Sequence, residues 1–401
     1  MTSSAFSREF AVVAACCRYG DPARAANIAA TQWDLIDLGR VGAIARRHRV
    51  EALVADALPS DLLRSDVPKR DRATPRPLAT AARDAAIASL RLAHAACRLG
   101  KDLDAAGIDW ISIKGPALAQ RAYGSTAIKL SRDFDILIAP ADFAKVAALL
   151  VDWGYQRVEP GPEIAADQLA TWMHYYKDCG WWHPVSGMLV EVHCRLFANR
   201  ALMPSLGLAS ARQQVLLPGI GTLPTLALVP LYAYLAGHGA VSAWSRLKWL
   251  ADIAALLRPL GPAAIMGLHA NAAAIGGGRC SAQALLLAEQ VLGLALPEGM
   301  AAMLRRDPAV RRLKRLGLAE MGGRNETEEV DWSGFATLPS QAAHLLLGGS
   351  WRYVGAEIAQ KFVNPVDRAR EVLPPSLTAL YPLLAVRRYV GRRLRRRATA
   401  P

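Results

Sequence analysis

An α+β fold is predicted: a small mixed β-sheet with flanking helices, embedded between helical regions at both ends of a 401-residue chain. Three observations predict it. Apolar residues recur at three- and four-residue spacing through the first hundred residues, the mark of amphipathic helix. Around residue 107 that period gives way to short strand-like runs, and after residue 203 it returns. Within the middle stretch, SRDFDILI places Asp133 and Asp135 two apart in a run that otherwise reads as a buried strand.

In chain order, AVVAACCRY and WDLIDLGRVGAIARRHRVEALVADAL predict helices over residues 1 to about 58. PSDLLRSDVPKRDRATPRP is rich in proline and charge and reads as a linker or exposed loop, followed by a long alanine-rich helix from 78 to about 105. Gly107 ends that helix, and DWISIKG reads as a short strand and turn. PALAQRAYG opens a helix with Pro116 in its first turn, where a missing N–H does no harm. RDFDILIA is the next strand, and ADFAKVAALLVDWGY an amphipathic helix closed by Gly154. TWMHYYKDCGWWHP and GMLVEVHCRL read as two strands of a hairpin joined through Pro-Val-Ser-Gly. From LPTLALVPLYAYLAGHGAV through WSRLKWLADIAALLRPL to residue 320 the pattern is a helical bundle. GGRNETEEVDWSG is a polar loop, and helices resume at 338. The expected organisation is a helical region over 1–105, an α/β core over 106–202, a helical bundle over 203–320, and C-terminal helices with a basic tail over 321–401.

The composition, 52% hydrophobic and 20% charged, supplies ample core for an ordinary globular protein. The net charge of +14 suits an anionic partner. Half of that excess sits in the tail, at Arg387, Arg388, Arg392, Arg393, Arg395, Arg396 and Arg397, so the total says less about a central site than it suggests. With Leu377, Leu380, Leu383, Leu384 and Val386 on one side, the tail reads first as a solvated or partner-docking end and second as a helix on an anionic membrane surface. A nucleic-acid contact ranks last, because no aromatic–basic alternation supports one. The six cysteines form no C-x-x-C pair and imply neither zinc nor a disulfide framework. The N-terminus lacks the basic and apolar regions of a secretory signal, and no apolar run reaches membrane-spanning length. A reducing cytoplasm, with the membrane periphery as a variant, is the expected location. No G-x-x-x-x-G-K-[ST], G-x-G-x-x-G after a strand, or H-E-x-x-H occurs, which argues against the usual kinase, dehydrogenase and zinc-protease folds.

Side chains alternate across a strand, so Asp133 and Asp135 share one face while Phe134, Ile136 and Ile138 take the other. Two neighbouring carboxylates repel, burial raises the cost, and a divalent cation removes the conflict. Hard oxygen ligands at this spacing suit Mg²⁺ or Mn²⁺ with substrate phosphates completing the shell. In VEVHC, Glu191 and His193 share one strand face and Val190, Val192 and Cys194 the other; Glu191 is the third carboxylate that a D-x-D pair needs. The alternative for Glu191 and His193 is an exposed hairpin face, and for His193 a supporting position behind the ligands. Three carboxylates can hold two ions, one carrying a triphosphate and one activating an acceptor hydroxyl. Gly115, at a strand-to-helix junction, reads by itself as a plain turn glycine; the other reading is a glycine that lets backbone approach a phosphate, with Lys114 beside it. Lys114, Lys129 and Arg132 are placed to offset charge on a leaving pyrophosphate.

The segment WSRLKWLAD carries Arg246, Trp249 and Asp252 on adjacent helical turns. It reads either as a wall contacting base or acceptor or as a packed helix with Trp244 and Trp249 in the core. Lys248 on it, like His193, is counted with the residues that face the nucleotide. Trp181 and Trp182 read as the edge of the core, with stacking on a base or acceptor as the other use. His238, between two glycines, reads as a helix end.

Taken together, WISIKGPALAQRAYG, SRDFDILI, DWGY, VEVHCRL and WSRLKWLADI resemble the nucleotidyltransferase superfamily built on the DNA-polymerase-β-like palm. The resemblance is closer to a bacterial group of uncharacterised nucleotidyltransferases, and runs over roughly residues 80 to 260. It implies that Asp133 and Asp135 bind metal, that Glu191 is the third carboxylate, and that Gly115 is the nucleotide-side glycine. It also implies a tailoring role as one setting. One departure stands out: the superfamily's usual glycine motif is Gly-Gly or Gly-Ser before the first helix, whereas here Pro116 follows Gly115 and removes one N–H from the phosphate cradle.

The expected function is metal-dependent transfer of a nucleoside monophosphate from an NTP to a small-molecule or peptide acceptor. Phosphoryl transfer at the same site and a non-catalytic nucleotide-binding module are the alternatives.

Overall fold

The computed structural model describes residues 6–60, 62, 78–323, 325–329 and 338–362. The arginine-rich tail, most of the proline-rich linker and part of the 322–334 loop lie outside them. Helices α1 (Arg8–Cys16), α2 (Arg24–Ala29), α3 (Leu38–His48) and α4 (Glu51–Ala57) form an N-terminal arm, followed by the long α5 (Leu78–Ala105). The α/β part runs β1 (Trp110–Ser112), α6 (Pro116–Tyr123), β2 (Asp133–Ile138), α7 (Phe143–Asp152), β3 (Gln156–Glu159), α8 (Leu169–Tyr175), β4 (Asp178–His183), β5 (Met188–His193), β6 (Arg212–Leu217) and β7 (Gly221–Leu226). Then come α9 (Leu228–Val241), α10 (Leu247–Leu257), α11 (Pro262–Ala274), α12 (Gly278–Leu292), α13 (Met300–Leu304), α14 (Pro308–Gly322), α15 (Leu338–Ala343) and α16 (Trp351–Phe362). None of the described helices is long and apolar enough to cross a membrane.

The seven strands make one mixed sheet in the order β3-β4-β5-β2-β1-β7-β6. β2 lies parallel to β5, and β1 is antiparallel to β2 and parallel to β7. Alternation along these strands divides two cores. Phe134, Ile136, Ile138, Val190 and Val192 pack with Leu92, Leu99 and Leu103 of α5 and Val146 and Leu150 of α7. On the opposite face Ile111, Ile113 and Leu137 join the helical core of α1, α9, α10 and α12. The D-x-D pair therefore faces the second layer, beneath α9 and α10.

Two segments depart from their sequence pattern. TWMHYY, expected as the first hairpin strand, is the end of α8, and the strand starts only at Asp178. Leu169, Trp172 and Met173 recur at i, i+3 and i+4 and bury together, so the helical period outweighs the aromatic, strand-prone composition. The Trp172 indole N–H donates to the Asp178 carbonyl at 2.9 Å and sets the helix-to-strand corner. LPTL, expected at the start of a helix, is instead the end of β7, hairpin-paired with β6 across the full length of both strands. Pro224 falls opposite Gln214 there, and the helix begins only at Leu228.

Candidate active site

The parallel pairing of β2 with β5 sets Asp135 directly opposite Glu191 and Leu137 opposite His193. β4 then places Asp178 opposite His193. These side chains rise from the face that carries α9 and α10, not from an open hairpin surface. Asp135 is 1% exposed and His193 2%, so the expectation of an exposed face for His193 is corrected; Glu191 stays half-buried. The cause is the helical layer laid over that face.

Asp135 Oδ1 accepts two contacts, from Lys114 Nζ at 2.8 Å and from His193 Nε2 at 3.2 Å. His193 Nε2 also lies 3.4 Å from Glu191 Oε2, and its Nδ1 lies 3.5 Å from Asp178 Oδ2. Asp178 is engaged by the Lys177 ammonium as well. Asp135 Oδ2 is buried and has no hydrogen-bond partner. Burial by itself would raise the Asp135 carboxyl, but Lys114 and the hydrogen bond from His193 outweigh it and hold it well below the usual carboxylate range. Burial works the other way on Lys114, and the Asp135 charge overrides it, leaving the ammonium well above its ordinary value. Burial raises Glu191, and although the His193 bond opposes this, the charge of Asp135 adds to it. For His193, burial and then Lys177 pull the imidazole down, but the bonds to Asp135 and Glu191 win and raise it.

Asp135, Glu191 and His193 each offer a ligand atom within 4.8 Å of the others. The unpartnered Asp135 oxygen and this donor set fit a divalent cation. Asp133 sits one pleat back on the same face, half-buried, and its oxygens do not belong to that group. Of the three carboxylates expected to converge, the structure brings Asp135 and Glu191 together, with His193 between them and Asp133 alongside.

Gly115, expected on the nucleotide side, caps the start of α6 at φ 68° and ψ −136°, a backbone shape that side chains resist. It packs on the Asp133 backbone, since a Cβ there would lie 3.8 Å from that carbonyl. Lys248 of α10 is half-buried among cations. Burial and then Lys129 lower its pKa to about 7, Arg49 and Lys114 add to this, and Asp133 opposes it. Lys248 is aimed by an unusual turn between α9 and α10, where Ala243 and the wholly buried Trp244 both hold positive φ.

Other expected residues serve elsewhere. Lys129 pairs with buried Asp252 at 2.6 Å, and Asp252 also accepts from the Tyr123 hydroxyl at 2.9 Å, so this group braces α6 against α10. Arg132 is exposed at the start of β2. Trp181 and Trp244 are core residues, whereas Trp182 is partly exposed. His238 is at a helix end as expected, in the last turn of α9, where its carbonyl accepts from the Ser242 N–H. It lies within α9, edge-on to Trp249 at 5.4 Å, and burial, then Lys114 and Lys177, hold it well below its usual pKa. Sequence reasoning missed Asp178, Tyr234 and Arg49, which flank the cluster. Asp178 had a usable signal, since it opens the strand paired with VEVH; Tyr234 and Arg49 depend on helix packing that no local pattern encodes.

No curated protein matches the chain. The family model of the uncharacterised nucleotidyltransferases matches residues 34–293, from before α3 to the end of α12, and so takes in the whole sheet and the cluster on it. With well over half of its length matched, the chain belongs to this uncharacterised nucleotidyltransferase family.

Proposed function

We propose that the protein transfers a nucleoside monophosphate from an NTP to an acceptor oxygen, with Asp135, Glu191 and Asp133 as the metal-binding carboxylates and His193 completing the donor set. The observation that carries this reading is the in-register meeting of Asp135 and Glu191 around a buried, unpartnered carboxylate oxygen, with Lys114 on the other oxygen of Asp135. A divalent cation bound there, Mg²⁺ or Mn²⁺, supplies charge neutralisation at the phosphates and lowers the pKa of the acceptor hydroxyl.

The residues divide the remaining work. Lys114 holds Asp135 in the resting protein and is positioned to turn to the phosphates once that carboxylate has another partner. Lys248, crowded by Lys129, Arg49 and Lys114, gains most from an incoming polyanion. Gly115 brings the start of α6 against the phosphate chain, where unpaired N–H groups and the helix dipole favour negative charge. The acceptor oxygen bonds to the α-phosphorus, the bond from that phosphorus to the bridging oxygen breaks, and pyrophosphate departs with the electron pair. Glu191, with its raised pKa and partial exposure, takes the acceptor proton.

The test uses ATP labelled at the α- or the γ-phosphate with a mixed pool of small-molecule and peptide acceptors. Nucleotidyl transfer leaves the α-label on the product. Retention of the γ-label alone makes the protein a phosphotransferase. If neither label transfers and NTP with Mg²⁺ fails to stabilise the fold, the site is a non-catalytic relic.

A further inference from the structure

A cavity of about 800 Å³ opens where β2 begins and the β4–β5 hairpin turns, under the N-terminal arm. Its charged lining comes from four separate elements: Arg46 of α3, Glu51 of α4, Asp84 and Arg91 of α5, and Arg132 just before Asp133. Trp182 forms part of the wall, its ring resting on Gly187 of the turn, where a Cβ would lie 3.6 Å away. Glu51 is 8% exposed, yet its Oε2 is buried without a hydrogen-bond partner. Burial raises that carboxyl, and Arg46, Arg132 and Arg49 oppose the rise. Arg46, Arg91 and Arg132 make no ion pair among the described residues, whereas Asp84 already has an interaction of its own.

We propose that this cavity is the acceptor site, and that it takes a small anion, a phosphate or carboxylate, that also carries an ammonium or hydroxyl donor. The assignment as acceptor rests on the nucleotidyl-transfer reading above; the ligand chemistry does not. Three exposed guanidiniums at the cavity rim, with no ion pair among the described residues, suit a negative charge. A buried carboxylate oxygen without a donor calls for an N–H or O–H. A neutral nucleobase would answer Glu51 and Trp182 but leave the arginines unmatched, while the triphosphate already has Lys114, Lys248 and the start of α6. Arg49, which acts on Glu51 of this cavity, also acts on Asp133, so a ligand held here lies at the end of β2 that carries Asp133.

The full-length protein, preloaded with a non-hydrolysable ATP analogue and Mg²⁺, is titrated by calorimetry with inorganic phosphate and with O-phosphoserine. One equivalent of each is expected to bind beyond the nucleotide, O-phosphoserine at least tenfold more tightly. Arg91→Glu, on the exposed side of α5, weakens both at least tenfold. Glu51→Gln removes the advantage of O-phosphoserine and leaves phosphate unchanged. Absent binding, or phosphate binding untouched by Arg91→Glu, overturns the proposal. Loss of the ATP analogue in Arg91→Glu makes the cavity part of the nucleotide site and overturns the acceptor assignment. If the analogue fails to bind the wild-type protein, the nucleotide reading fails by itself, and the phosphate titrations still decide what the cavity holds.

Discussion

Replacing Lys114 by methionine separates a cation site from a permanent ion pair. The Lys114 ammonium, 19% exposed, lies 2.8 Å from a carboxylate that is 1% exposed. Opposite unit charges at this distance attract by roughly 6 kcal/mol at an effective dielectric constant of about 20, before desolvation is subtracted. Removing one member of a buried pair costs about 3–5 kcal/mol, because the other charge stays buried without its match. His193 remains 3.2 Å from the same oxygen, which places the expected loss near the lower end, about 3 kcal/mol. A divalent cation bound at a hundred times its dissociation constant returns about 2.7 kcal/mol, nearly the whole deficit. The assay is urea unfolding of wild type and Lys114→Met, with and without Mn²⁺. The variant should unfold at lower urea without metal and recover most of the difference with it. The wild type should gain less, since the metal must first displace the ammonium. A variant as stable as wild type, or an equal metal effect on both proteins, refutes the reasoning.

Three further outcomes follow from the same geometry. Lys248, with a pKa lowered to about 7, must be protonated to hold a phosphate, so nucleotide affinity should fall as pH rises above about 7, by up to roughly tenfold per unit. Lys248→Arg should flatten that profile, and a wild-type affinity constant from pH 6 to 9 would show that this amine does not meet the nucleotide. Gly239→Ala would place a Cβ 2.3 Å from the Trp244 ring, an overpacking that costs about 1–3 kcal/mol and shifts the turn that aims Lys248; thermal melting should show the loss, and an unchanged melting temperature would mean that the ring has room to move. Glu191→Gln keeps the side-chain volume and a hydrogen-bonding oxygen, so transfer should drop by at least tenfold while stability changes by less than about 1 kcal/mol; unfolding as the main effect would make Glu191 structural.

The carboxylate face is legible because strand alternation is rigid. Phe134, Ile136 and Ile138 had to bury together, which turned Asp133 and Asp135 the other way, and VEVH repeated that pattern on a second strand. What alternation does not encode is register. Only the parallel pairing places Asp135 rather than Asp133 beside Glu191, and so makes His193 a member of the cluster. Trp172 shows the other limit: in TWMHYY the residue types favour strand, and the helix is chosen by burial against a core that is distant in sequence. The Lys129 ion pair is hidden from the sequence for a similar reason. Its charge looked free for phosphate because its partner, Asp252, is 123 residues away on another element. Glu51 carries no local signal, since an acid at the first turn of a helix is ordinary and only the packing of four elements makes it an unpaired group in a cavity wall.

The cluster is better explained as a site than as a brace, and the comparison is available within the same protein. Asp252 is equally buried, but each of its oxygens is satisfied, one by Tyr123 and one by Lys129, as a structural carboxylate should be. Asp135 crowds Lys114 and His193 onto one oxygen and leaves the other with none. An unsatisfied buried acceptor costs about 1–3 kcal/mol, more when charged. Folding could have avoided that cost by the arrangement it uses at Asp252. Glu191 compounds the difference by bringing a second carboxylate against the first, where a brace would bring a cation. A surplus of buried negative charge on the sheet, facing Lys114 beside it and Lys248 on α10, is stable only as a divided state, and a metal ion with a polyphosphate would satisfy both halves at once.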